Sequence, residues 1–189
     1  MSEQLSRDVA AALLARYGAD APWTRHCYAV ASAAERVGAM LPGSTGVDLD
    51  TLWSFGLLHD IGRCATHHPI GHGVEGYRLL SSLGYHEAAF VCVAHVGFGL
   101  SAAEASLLGL PEREFVPQTY EERIVCLADL LVEGDRPTTL EARIASLHRR
   151  YADDAEFLPL VDRAHERALA FMMRLLEETG TSAEEAVAR

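Results

Sequence analysis

Six side chains of the kinds that ligate cations, His26, His59, Asp60, His72, His95 and Asp129, stand on segments that are otherwise apolar. The stretch WSFGLLHDIGR, residues 53–63, closes an apolar run by setting His59 beside Asp60. A carboxylate taken out of water is costly unless it is paired or coordinates a metal, so the rest of the chain must bring Asp60 a partner. His26 shares a helical stripe with Val30, Ala33 and Val37. His72 opens a helical segment, His95 lies three residues after Cys92 and four after Val91, and Asp129 interrupts the apolar run IVCLADLLV. Imidazole and carboxylate together suit Zn, Mn, Fe or Co, and a cation so held makes water and phosphoryl groups reactive. Each residue also has a plainer reading. A single His on an apolar face is usually a satisfied core residue, and Asp129 could bond a helix end or an Arg. Six together, all on inward faces, favour a metal site.

Helices must position them, because the apolar period is helical almost throughout. The pattern predicts a first helix over about residues 3–17 with Gly18 as its stop, and a second from Pro22 through His26, Val30, Ala33, Val37 and Leu41. Asp48 or Asp50 caps a third, through Leu52, Phe55, Gly56 and His59, with Gly62 as its terminator. HGVEGYRLLSSLGY and HEAAFVCVAHVG give two more. Capping boxes then pair Ser101 with Glu104, Thr119 with Glu122 and Thr138 with Glu141. A long amphipathic helix is expected over about Asp154–Glu178, before a fraying tail, TSAEEAVAR. No strand, repeat or low-complexity tract is predicted, so the class is all-α.

The length of 189 residues suits a single domain. A net charge of −11 argues against a nucleic-acid duplex as partner, which wants a basic patch. All sixteen basic residues are Arg, a feature we read as compositional bias except where a given Arg sits at a site. Cys27, Cys64, Cys92 and Cys126 are scattered without a CxxC pair, which predicts reduced thiols and a cytoplasmic location. The opening segment reads as an amphipathic helix rather than a signal peptide, and no apolar run is long enough to span a membrane.

His26, the doublet His59-Asp60 and Asp129, in that order, resemble the H…HD…D signature of the HD-domain metal-dependent phosphohydrolase superfamily, HDIG type. The strings LLHDIGR, HGVEGYRLL, VAHVG and EERIVCLADLL agree with it over about residues 22–135. The resemblance implies a compact helical bundle with a central metal site, helices 138–179 packing on the motif-bearing core. It implies a first ion held by His26, His59, Asp60 and Asp129. Branches with two further His ligands hold a second ion, a pattern His72 and His95 fit, with Asp60 bridging. The cofactor would be one or two divalent ions of Fe, Mn, Co, Ni or Zn. The implied reaction is attack of metal-activated water on a phosphoester or phosphoanhydride of a small, nucleotide-like molecule.

Arg63, three residues after Asp60, is the leading candidate for binding substrate phosphate, with capping of the third helix as its alternative. Arg25, Arg136 and His68 are further substrate-binding candidates. His67 and His68 could equally be solvated loop residues. Glu75 is a candidate general base beside Asp60 as catalytic groups, or an exposed Glu. Cys27, Cys92 and Cys126 are read as core packing, and His86, His148 and His165 as surface residues. The segment GFGLSAAEASLLGLP could be a lid hinged at Gly97 and Gly99, or a crossover. A homodimer is possible. Two other functions stay open. One is a di-iron oxygenase of the same fold that cleaves C–P or C–C bonds, although the expected Glu is missing before His26. The other is a non-catalytic nucleotide sensor.

Overall fold

The computed structural model describes residues 5–189. Residues 3 and 4, where the first helix is expected to begin, lie outside the described residues. Ten α-helices and one two-stranded hairpin follow in chain order, and the fold is all-α.

Helix α1, Arg7–Gly18, starts where the Ser6 hydroxyl accepts a hydrogen bond from the Val9 amide. Helix α2, Trp23–Gly38, buries the expected stripe of Val30, Ala33 and Val37. Helix α3, Leu49–Leu58, is capped by Asp48, whose carboxylate accepts from the Thr51 amide at 2.8 Å. The helix ends before His59, and the chain passes through Asp60 into a 3-10 turn, Ile61–Cys64. Gly62 therefore does not terminate α3. It sits inside the turn because the backbone of the next helix presses against it: a Cβ there would lie 1.9 Å from the His72 carbonyl oxygen.

That next helix, α4, Gly71–Ser82, and α5, His86–Ala94, pair closely, helped by Gly73, where a Cβ would lie 2.5 Å from the Cys92 carbonyl. The Val96–Phe98 turn and α6, Ala102–Leu107, lead to α7, Tyr120–Leu130. The capping boxes at Ser101 and Thr119 are present as expected. The third cap falls one residue later than expected. Thr139, not Thr138, accepts from the Ala142 amide and starts α8, Leu140–Arg150. Between α7 and α8 lies an unexpected hairpin, β1 Val132–Glu133 antiparallel to β2 Arg136–Pro137, turning at Gly134.

Helix α9, Leu158–Thr179, begins later than Asp154, because Asp154 caps the preceding turn by accepting from the Phe157 amide at 2.9 Å. The tail does not fray. Helix α10, Ala183–Ala188, buries Ala186 and Val187, and the Val187 carbonyl accepts from Arg36 of α2 at 2.9 Å. The segment read as a lid is packed rather than free. Phe98 and Leu100 are buried, Arg163 pairs with Glu104, and Arg167 donates to the Phe98 carbonyl, so α9 ties the segment down as a crossover. No helix among the described residues is long and apolar enough to cross a membrane.

Candidate metal centre

The six His and Asp residues come from five helices and converge in the core. Helix α2 brings His26, the end of α3 brings His59 and Asp60, α4 brings His72, the C-terminal end of α5 brings His95, and α7 brings Asp129. His26, His59 and Asp129 offer ligand atoms all within 4.8 Å of one another, and so do His59, Asp60 and His95. The Nε2 of His26 lies 3.0 Å from Asp129 Oδ1, and that of His59 lies 3.7 Å from it. Asp60 turns one oxygen to each side. Its Oδ2 is 3.7 Å from His59 and 4.0 Å from His26, and its Oδ1 is 3.0 Å from His72 and 3.7 Å from His95. Donors about 2.1 Å from one cation sit roughly 3.0–3.4 Å apart when adjacent and about 4.2 Å apart when opposite, so these spacings are of the right size for a divalent cation.

The backbone decides which nitrogen each ring presents. The Nδ1 of His26 donates to the Gly134 carbonyl at 2.8 Å, that of His59 to Gly56 at 2.7 Å, that of His72 to His68 at 2.9 Å and that of His95 to Val91 at 3.3 Å. With the hydrogen on Nδ1, every neutral ring points a bare Nε2 lone pair inward. The 2.9 Å approach of His72 Nε2 to His95 Nε2 then sets lone pair against lone pair, as does the 3.0 Å approach of His72 to Asp60. His59 Nε2 and Asp60 Oδ1 are buried without any hydrogen bond. With its rings neutral such a cluster is repulsive until a proton or a cation enters it, and the donor set fits a divalent ion. The unexpected hairpin has its role here, because the carbonyl that orients His26 belongs to its turn.

The profile of the HD domain matches residues 23–147. The chain belongs to the HD-domain family. Membership supports a function of the metal-dependent hydrolase type, and the buried His/Asp cluster is compatible with a divalent metal. The HD-domain chain is 38% identical over 127 residues to an uncharacterized protein of Methanocaldococcus jannaschii, an overlap of 66% of this chain and 75% of that protein. It is 33% identical to a tRNA (cytidine(56)-2'-O)-methyltransferase of Thermoplasma volcanium, over 76% of this chain and 41% of that protein. A protein of the same name from Picrophilus torridus is 32% identical, over 82% and 43%. The match thus spans about two fifths of each methyltransferase. No solved structure gives a significant match.

In this HD domain the cluster forms one wall of a cleft, which His72, His95 and Asp129 line. Arg63 lines the same cleft and pairs through Nε with Asp60 Oδ2, its guanidinium a quarter exposed. The opposite wall was not foreseen. Helix α8 contributes Arg143, Leu147 and Arg150, the following turn contributes Tyr151, and Phe157 with the start of α9 completes an apolar side.

The other expected substrate and catalytic residues lie elsewhere. Arg25 and Arg136 are exposed and do not line the cleft. Glu75 is turned away and pairs with Arg78 on the outer face of α4 at 2.7 Å. His68 is exposed, and its Nδ1 accepts from the Ile70 and Gly71 amides, so its ring caps α4 while its carbonyl orients His72. The thiols of Cys92 and Cys126 donate to the Leu58 and Ala94 carbonyls, and burial pushes both up, so they stay protonated. His86 is exposed, and His148 and His165 pair with Asp162 and Glu141 on the outer surface.

Burial pushes Asp60 up, but His72, His59 and Arg63 together outweigh it and hold the carboxyl well below its usual range. Asp129 is likewise raised by burial and lowered further by His26 and His59. Burial, backed by His59 and His72, pushes His95 down from 6.5 to about 3. This group is protonated more readily in the unfolded chain, so metal-free protein loses stability as pH falls from 6.5 towards 3, by up to about 1.4 kcal/mol per pH unit. His59 is lowered by burial and raised more by Asp60 and Asp129, so it has the opposite sign: its contribution is complete below 6.5 and is lost as pH rises through its folded value. The carboxylates contribute above their usual 3.8 and lose that contribution as pH falls through their depressed folded values. Glu133, lowered by the Ser146 hydrogen bond, and Glu104, raised by burial but lowered more by Ser101 and Arg163, add to the same fall, so urea denaturation of metal-free protein from about pH 6 to about pH 4.5 isolates His95 only as the difference between wild type and His95→Gln. Stability should fall across that interval, and His95→Gln should flatten the fall. An unchanged slope in the variant would show that His95 is not held neutral.

Proposed function

We propose that this HD domain is a metal-dependent phosphohydrolase acting on a nucleotide-like small molecule. The observation that supports it most is the convergence of four bare Nε2 atoms and two carboxylates on a cleft that also exposes the Arg63 guanidinium. On this reading His26, His59, Asp60 and Asp129 hold one divalent ion of Fe, Mn, Co, Ni or Zn, and Asp60, His72 and His95 hold a second. Bound metal supplies Lewis acidity and lowers the pKa of its water. The chain supplies the rest. The Nδ1 hydrogen bonds fix the rings before any ion arrives. Arg63 keeps Nε on Asp60 and has its remaining N–H groups for phosphoryl oxygens, where a planar guanidinium grips well. The apolar side formed by Leu147, Phe157, Leu160 and Val161 restricts water beside the phosphoryl group.

The tRNA in the relatives' names is not carried over, since the match covers about two fifths of those proteins and a net charge of −11 disfavours a polynucleotide backbone. The four cysteines are free, which suits the reducing cytoplasm.

Hydrolysis by protein loaded with each of the five metals tests the proposal, read as phosphate release and, where the products are nucleotides, by their chromatographic separation. The panel is nucleoside mono-, di- and triphosphates, cyclic nucleotides and dinucleoside polyphosphates. Turnover abolished by a chelator is expected. Silence with every metal and substrate would end the hydrolase reading, and oxygen uptake by the iron-loaded protein would replace it with oxidative C–P or C–C cleavage.

A further inference from the structure

Helix α8 places Arg143, Leu147 and Arg150 at i, i+4 and i+7, which puts them on one face, and all three line the cleft opposite the His/Asp cluster. Over a distance of about 10 Å along the helix axis the two arginines would act separately, but a single carboxylate gathers them. Glu133 Oε1 lies 3.7 Å from Arg143 Nη1 and 3.1 Å from Arg150 Nη2, and the same oxygen accepts from the Ser146 hydroxyl. Two guanidiniums thus converge on one negative charge and leave one positive charge uncompensated.

Arg143 carries the stronger sign. Its side chain is only 11% exposed, its one ion pair is long, and its Nε is buried with no hydrogen-bond partner. Burying guanidinium donors without acceptors is costly, and the side of the helix that holds them faces the cleft rather than bulk water. Next to them Tyr151 packs edge-to-face on Phe157, with centroids 4.7 Å apart, giving an aromatic rim beside the cationic patch.

We infer that α8 forms a second anion subsite, across the cleft from Arg63, that receives a phosphoryl group other than the one attacked, with the Tyr151–Phe157 rim taking an aromatic base. This rests on the phosphohydrolase reading of the cleft and narrows its substrate to nucleotides carrying at least two phosphoryl groups. Arg63 serves the group beside Asp60, and Arg143 and Arg150 serve the next one. A monophosphate satisfies only the first subsite and leaves Arg143 with its long Glu133 pair alone.

Equilibrium dialysis of the full chain, as purified, against the hydrolysis-resistant phosphonate isosteres of AMP and ADP tests this. The wild type should bind the ADP isostere more tightly. Arg143→Met and Arg150→Met should each weaken the ADP isostere by roughly tenfold or more while changing the AMP isostere by less than about threefold, since a charge-assisted hydrogen bond is lost in one case only. Arg150 is half exposed, so its variant stays folded and decides the matter if Arg143→Met does not fold. Equal losses for both ligands, no loss for either, or no preference in the wild type would each overturn the subsite. Selective binding without any phosphate release would sink the hydrolase reading and leave the subsite standing. Turnover without selectivity would do the reverse.

Discussion

Asp60→Asn should yield a folded protein that, on the proposed reading, no longer retains metal. The side chain keeps its shape but gives up the charge and one of the two acceptor oxygens that face the two halves of the cluster. Loss of a shared ligand should lower metal affinity by about a hundredfold or more, and hydrolysis should fall with it. The fold survives because the same change relieves the metal-free state: an amide N–H can donate to the bare Nε2 of His72, which lies 3.0 Å from Asp60 Oδ1. Arg63 loses its ion pair, but its guanidinium has access to the cleft and to water. Elemental analysis and melting curves check the prediction together. Metal at a hundredfold excess over its Kd stabilises the wild type by about 2.7 kcal/mol, or roughly 5–10 °C in Tm for a chain of this size. Chelator should remove that increment from the wild type and leave the variant's Tm unmoved. Two equivalents of metal still bound to the variant would show that Asp60 is not a shared ligand.

The donor side chains are legible in the sequence for a physical reason. A carboxylate in an apolar run demands a partner, so Asp60 and Asp129 announce themselves, and imidazoles on apolar stripes answer them. The helices are legible through their caps, as at Asp48, Ser101 and Thr119. What escapes the sequence is anything decided by which face meets which. Nothing in the sequence singles out the arginines of α8 among the sixteen, and only the docking of α8 beside α9 turns them towards the cluster. Glu75 reads as a general base or as an exposed Glu, and the structure favours the second, with Arg78 holding it on the outer face. His68 reads as a free loop imidazole and proves to be a helix cap. The two-residue strands are too short to show a period, and the helix that replaces the fraying tail is stabilised by Arg36 and Glu184, contacts made over long separations.

Gly62→Ala should be the most damaging single methyl group in this chain, and its damage should reach the metal. A helix stop, as the sequence suggests for this position, would tolerate Ala at a cost of about 1 kcal/mol or less. The observed surroundings forbid it: the new Cβ would meet the His72 carbonyl at 1.9 Å, the Gly76 amide nitrogen at 2.4 Å and the Gly76 Cα at 3.0 Å. All three are backbone atoms, so no side chain can swing away. Helix α4 must instead shift as a body by about 1 Å or more, against a densely packed interface with α5. A cost above about 3 kcal/mol is expected, in the range reserved for overpacked cores. Because α4 carries His72, the same shift withdraws that imidazole from Asp60 while His26, His59 and Asp129, on other helices, stay in place. On the two-ion reading proposed above, the variant should therefore lose one metal equivalent as well as stability. Urea midpoints and elemental analysis read the two effects, and Gly43→Ala is the control, since nothing lies within 4 Å of its Cβ position and it should change stability by less than about 0.5 kcal/mol. A Gly62→Ala protein with wild-type midpoint and full metal content would mean that the turn after Asp60 and helix α4 do not touch as described, and with that the second half of the cluster would lose its support.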